Sequence, residues 1–171
     1  MNNAEIIDLK ASRRKNLNNK SSRKRTEINL QKKIEKLLLQ FHENAIGLRE
    51  LEIHGYGIAD FVLFNNINNK CNINAYEIKI RDWRKALQQA YRYSYYANQS
   101  IVIMPLENIP NGNEKLSLFK TMNIGLWGFD SQENQINKIF TPQKKKPKNN
   151  SAKIKALDFI KGKINFCECS K

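Results

Sequence analysis

The chain has 171 residues and a mass of 20.0 kDa, enough for one domain with a sizeable core. Thirty Lys and Arg against sixteen Asp and Glu give a formal net charge of +14, which favours an acidic partner, nucleic acid being the commonest. A hydrophobic fraction of 40% excludes a disordered polycation, and no apolar run nears the roughly 18 residues of a membrane span, so no membrane partner is expected.

In chain order, Met1 to Asp8 lacks an apolar stretch of signal-peptide length, and the cysteines (Cys71, Cys167, Cys169) form a sparse, odd set. Both point to a cytoplasmic protein, and with the net charge the expectation is one associated with the nucleoid. Residues 1–25 carry +6 and read as a basic arm, with Arg13, Arg14, Lys15, Arg23, Lys24 and Arg25 as candidate nucleic-acid contacts. Ser12 to Arg25 has one large apolar residue, Leu17, too little to order itself. Thr26 then opens an amphipathic helix carrying Ile28, Leu30, Ile34, Leu37, Leu38 and Phe41.

Leu48 to Ile53 alternates like a strand, Gly55-Tyr-Gly57 turns the chain, and Ile58 to Phe64 reads as a second strand. An Asn-rich loop leads to a third strand, Ile73 to Ile80. Asp82 is placed to cap a helix from Trp83 to about Ala97. Ser100 to Met104 is a short buried strand ended by Pro105, Glu114 to Met122 a helix, Asn123 to Phe129 a strand, and Ile136 to Phe140 an edge strand. Residues 141–150, with two prolines and four lysines, read as a linker, its Lys144, Lys145, Lys146 and Lys148 being further nucleic-acid contacts. Ser151 is expected to cap a last helix with Ile154, Leu157, Ile160 and Ile164 on one face, within a basic tail running to residue 171.

These elements predict an α/β fold: a small mixed β-sheet flanked by helices over 26–140, with basic N- and C-terminal extensions. Residues 144–171 carry +7, which leaves only +1 for 26–143.

That near-neutral middle holds the notable chemistry. Glu77 and Lys79 are two residues apart on one strand face, and Asp60 lies on the preceding strand across a hairpin-length connection. If the strands pair, Asp60 and Glu77 meet, and two adjacent carboxylates repel unless a cation holds them. Hard oxygen ligands favour Mg²⁺ or Mn²⁺, which keep waters and accept phosphate oxygens. A neighbouring ammonium can orient or deprotonate an attacking water and offset phosphate charge.

Gly57-Ile-Ala-Asp60 followed by Tyr76-Glu77-Ile78-Lys79 resembles the Asp…Glu-x-Lys signature of the PD-(D/E)XK nuclease superfamily. The helix from Asp82 to Tyr93, the strand from Ser100 to Pro105 and the segment from Ile124 to Asp130 are similar to the elements that follow it, so the likeness spans about residues 27–130. It implies a restriction-endonuclease-like α/β/α sandwich and Mg²⁺-dependent hydrolysis of DNA, with an endonuclease the expected form. It implies catalytic roles for Asp60, Glu77, Lys79, Gln89 and Tyr93. Metal would be held by Asp60, Glu77, the carbonyl of Ile78 and a Glu of the first helix, with Glu35 chosen over Glu27 and Glu43. Glu50 and Glu52, on the strand before Asp60, are open as further site members. Ala59 stands where many members have Pro.

Plainer readings compete. Glu77 and Lys79 can be an ordinary surface ion pair, Gln89 and Tyr93 ordinary helix residues, and His54 a solvated residue beside a turn. Two other functions fit the composition: a non-cutting nucleic-acid-binding protein of the same fold acting in repair or regulation, or a structural RNA-binding protein. RNA therefore stays open beside DNA, and a homodimer is expected for a double-strand cutter of this size.

Overall fold

A computed structural model of the chain describes residues 6–8, 22–42, 45–67 and 70–168, with side chains at 27–42, 45–66 and 70–164. Among the described residues, seven strands form one mixed sheet in sequence order. They are β1 (Ile6–Asp8), β2 (Ile46–Ile53), β3 (Gly57–Ile67), β4 (Lys70–Ile78), β5 (Gln99–Pro105), β6 (Gly125–Asp130) and β7 (Gln135–Phe140). The helices are α1 (Ser22–Gln40), α2 (Trp83–Tyr93), α3 (Asn113–Met122) and α4 (Asn150–Glu168). Strands β2, β3 and β4 are antiparallel neighbours; β4, β5 and β6 are parallel, linked through α2 and α3; β7 returns antiparallel at the edge.

Alternating side chains separate two cores. Ile34 and Leu38 of α1 pack on one sheet face with Phe61, Leu63, Tyr76, Ile78, Ile101, Ile103 and Trp127. On the other face, α2 buries Ala86, Leu87, Ala90 and Tyr93, α3 buries Phe119, and α4 buries Ala152, Ala156 and Ile160, against Val62, Ala75, Val102 and Leu126. The α/β sandwich expected from the sequence is therefore present, with helices on both faces of the sheet.

Several boundaries differ from the expected ones. Strand β1 pairs parallel with β2 and lies inside the region read as a basic arm; three residues carry too little pattern to reveal a strand. Helix α1 begins at Ser22, within the same region. Helix α2 stops at Tyr93 instead of near Ala97, because Ser94, Tyr95 and Tyr96 turn back with N–H bonds to the carbonyls of Tyr91, Arg92 and Tyr93. Asp82 caps α2 as expected, its Oδ1 accepting the Lys85 N–H at 3.2 Å.

The C-terminal helix also differs. Its cap is Asn149, whose Oδ1 accepts the Ala152 N–H at 3.2 Å, not Ser151. Of the expected stripe, Ile160 is buried and Leu157 and Ile164 pack against the core, joined by Ala152 and Ala156, whereas Ile154 is 50% exposed. The segment before it has no helix or strand, as its prolines and lysines predict, yet it is fixed to the core. A Cβ on Gly125 would lie 2.9 Å from Pro142, so the absence of a side chain lets the segment seat against β6.

Candidate active site

The β3–β4 ladder runs from Ile67 opposite Lys70 to Phe61 opposite Tyr76 and then opens. Asp60 and Glu77 are the next two residues, facing each other just past the last rung. Opening a buried ladder strands backbone polar groups, which must find other partners. Side chains supply them. The Ile78 N–H donates to Asp60 Oδ2 at 2.8 Å, the Ile58 carbonyl accepts from the Tyr93 hydroxyl at 2.5 Å, and the Asp60 carbonyl accepts from Gln31 Nε2 of α1 at 3.3 Å.

The neighbouring β2–β3 hairpin is distorted at the same level. Arg49 pairs with Phe61 and Leu51 with Ala59, so Glu50 stands opposite Asp60, in a left-handed conformation with φ of 57°. Leu48 and Leu51 consequently face one core although they are three residues apart, as do Ala59 and Val62. This interruption of strand alternation places the two residues at the open fork.

Glu77 is fully buried. Its Oε1 lies 3.1 Å from Lys79 Nζ, and its Oε2 lies 2.6 Å from the Tyr93 hydroxyl. Burial, and then the Asp60 charge, push its pKa from 4.5 up to about 7, outweighing the Tyr93 and Lys79 hydrogen bonds. Burial also raises Asp60, with added repulsion from Glu27 and Glu50, against the Ile78 N–H and Lys79. For Lys79, partial burial opposes the charge, but Glu77 and Asp60 prevail and hold its pKa above the ordinary lysine value. Lys79 is thus an ammonium.

The Tyr93 hydroxyl has one proton and two acceptors in reach, Glu77 Oε2 and the Ile58 carbonyl. When Glu77 is protonated it can donate to Tyr93, leaving the tyrosine proton for Ile58. Burial, followed by the Glu77 charge, raises Tyr93, and the same two causes raise Tyr96, whose ring lies 6.0 Å from that of Tyr93.

The structure brings together Asp60, Glu77, Lys79, Tyr93 and the Ile78 backbone. Gln89 lies one turn before Tyr93 on α2, half-buried, its Oε1 buried without a hydrogen-bond partner. Among the first-helix carboxylates, Glu35 is fully buried and held by Arg49, whose Nε and Nη2 both lie 2.6 Å from Glu35 Oε2. The helix carboxylate whose charge acts on Asp60 and Lys79 is Glu27, two turns earlier. Glu43 lies outside the described residues. Of the strand pair, Glu50 acts on Asp60, while Glu52 is exposed opposite Ile58. Gln31 was not anticipated; its signal is the spacing Glu27, Gln31, Glu35 along one helix face. His54 is exposed at the hairpin turn.

Lys144, Lys145, Lys146 and Lys148 are exposed on the segment before α4. Arg13, Arg14 and Lys15 lie outside the described residues, as do the side chains of Arg23, Lys24 and Arg25 in the first turns of α1. Among the described residues, no group of three or more His, Cys, Asp or Glu side chains is set to hold a metal ion, and no helix is long and apolar enough to cross a membrane. Neither a protein-family model nor a curated protein sequence matches the chain.

Proposed function

We propose that the chain is a Mg²⁺- or Mn²⁺-dependent nuclease of the PD-(D/E)XK type that hydrolyses phosphodiester bonds of DNA, as an endonuclease. The observation that carries this reading is the convergence of Asp60, Glu77 and the Lys79 ammonium at the open end of the β3–β4 ladder.

The donor set suits a hard divalent cation. Two carboxyl side chains stand side by side, each with its pKa raised first by burial and that of Glu77 also by the Asp60 charge, and a cation between them would favour the charged form of both. With two protein carboxylates a bound Mg²⁺ would keep several waters, as that ion prefers. Asp60, Glu77 and the Ile78 carbonyl would hold it, with Glu27 and Glu50 adding negative charge nearby. When bound, the metal supplies Lewis-acid activation of water and of the phosphate.

The protein's own groups do the rest. Asp60 is fixed by the Ile78 N–H, and Glu77 by the Tyr93 hydroxyl and Lys79. The Lys79 ammonium donates to oxygens at the reacting phosphate and offsets the charge that develops there. As an ammonium it orients a nucleophile and does not deprotonate it. The basic residues at 13–15, 23–25 and 144–148 supply salt-dependent, sequence-independent affinity for the polyanion.

The test is incubation with plasmid, linear duplex, branched and single-stranded DNA and with RNA, with and without Mg²⁺, using Asp60→Ala as control. Metal-dependent cleavage lost in the variant is the expected result. Tight binding with no cleavage under any divalent metal would assign the chain to a non-cutting role.

A further inference from the structure

A second polar site lies on the α2 face of the sheet, near the N-terminal end of β5. A pocket of about 390 Å³ opens between the end of α2, the start of β5, the end of α3 and the segment 145–148. Its walls include Tyr91, Asn98, Ser100, Lys145, Lys146 and Lys148, and no acidic side chain lines it.

Two features mark it as built rather than incidental. First, the lysine segment is held in place by its backbone. The Lys145 N–H donates to the Asn98 carbonyl at 3.0 Å, Asn98 Nδ2 donates to the Lys145 carbonyl at 3.1 Å, and the Lys148 N–H donates to the Ser94 carbonyl at 3.1 Å. Upstream, Asn123 and Gln143 exchange two bonds, and Gln99 Nε2 donates to the Pro142 carbonyl at 2.8 Å. Lys148 Nζ also rests 3.6 Å above the Tyr91 ring. Three lysines therefore border one concavity on a segment held in place, and with no acidic residue in its walls their charge favours an anion there.

Second, Ser100 is 2% exposed and its Oγ has no hydrogen-bond partner. A buried hydroxyl without a partner is costly in a folded protein. Ser100 belongs to the wall of the pocket that the lysines border, with its Oγ sealed from solvent there.

We propose that this pocket binds a phosphate monoester, carried by a free nucleotide or by the end of a nucleic-acid strand. A monoester bears close to two negative charges near neutral pH, matching a cluster of three lysines. A diester in the middle of a strand bears one and is flanked by sugars on both sides, which fits an open groove better than a pocket walled by two helices, a strand and a pinned segment. The site goes beyond the diffuse attraction of basic residues for a polyanion, and it does not rest on the carboxylate site.

Calorimetric titration of the full chain in EDTA, with inorganic phosphate and with adenosine 5′-monophosphate as probes, tests the proposal without metal or cleavage. Saturable binding is expected, weakened about tenfold or more by combining Lys145→Ala, Lys146→Ala and Lys148→Ala. Lys153→Ala, Lys155→Ala and Lys161→Ala on α4 remove the same charge away from the pocket and should leave binding unchanged. Ser100→Ala, checked by its unfolding curve, should weaken binding as well.

Displacement of the nucleotide by a 5′-phosphorylated oligonucleotide but not by its 5′-hydroxyl counterpart would identify a strand end as the source. Displacement by neither would identify a free nucleotide. The proposal is overturned if neither probe binds, if both triple variants weaken binding equally, or if the 5′-hydroxyl oligonucleotide competes as well as the phosphorylated one.

Discussion

The Tyr93 hydroxyl lies 2.6 Å from Glu77 Oε2 and 2.5 Å from the Ile58 carbonyl, serving a buried carboxylate and a stranded backbone acceptor at once. One side chain of α2 thus ties the helix to both strands of the open fork. Tyr93→Phe removes the hydroxyl from both partners. The expected cost is about 1–3 kcal/mol, the range for leaving a buried polar group unsatisfied. Urea unfolding would show it as a lower midpoint at unchanged slope; an unaltered midpoint would remove Tyr93 from this role.

The pH dependence of stability follows from Glu77, whose pKa is raised from 4.5 to about 7. A carboxyl raised in the folded state binds its proton more tightly there than when unfolded. Folding is therefore favoured at low pH by this group, and that stabilisation is lost as pH rises from about 4.5 through about 7. Asp60 contributes with the same sign. Metal-free protein should lose stability over this window, on the order of 1 kcal/mol or more. Glu77→Gln should flatten the profile, measured by urea unfolding from pH 4.5 to 8 in EDTA. Added Mg²⁺ should oppose the loss, since the cation competes with the proton.

Asp60 has two tasks that substitution can separate. Asp60→Asn keeps an oxygen that can accept the Ile78 N–H but weakens the site's hold on a cation. Asp60→Ala removes both. Both variants should lose metal-dependent cleavage, while only the alanine should also lose stability, by about 1–3 kcal/mol. Equal unfolding midpoints for the two would contradict the backbone role.

Lys79→Met keeps the aliphatic stem and removes the ammonium 3.1 Å from Glu77. Cleavage should fall about 10²–10³-fold, the scale for losing one electrostatic donor at a reacting oxygen. The Glu77 pKa should rise further, because a charge that lowers it is gone. Single-turnover cleavage rates and the pH profile of unfolding would report the two effects separately.

Glu35 and Glu27 should respond differently. Arg49→Ala removes the guanidinium whose Nε and Nη2 both meet Glu35 Oε2, and should lower stability by about 1–3 kcal/mol, the scale for a hydrogen bond to a charged group. Glu35→Gln should likewise act on stability. Glu27→Gln should leave stability nearly unchanged and shift the Mg²⁺ concentration needed for cleavage. Titrating Mg²⁺ against each variant distinguishes them, and a metal shift confined to Glu35→Gln would reverse the assignment.

Much of this protein is written locally. Short runs rich in apolar residues between turn signals mark β2 and β3, helical spacing marks α1 and α2, and Asp82 announces the start of α2; each signal depends on neighbours within a few positions. The proximity of Asp60 and Glu77 is legible for the same reason, since a short hairpin fixes which residues face each other. What tertiary structure decided is different in kind. Glu27, Gln31 and Glu35 share one helix face, so periodicity cannot choose among them; the position of α1 against β2 sets Glu35 on Arg49 and Glu27 near Asp60. The opening of the ladder, the fate of the stranded Ile58 and Ile78 groups, and the seating of residues 142–149 all depend on contacts between distant segments. The sequence by itself determined the elements from α1 onward, short of their exact ends, and the pair of carboxylates. Only packing decided which further groups surround them, because helix rotation and docking are set by the whole core and not by any one segment.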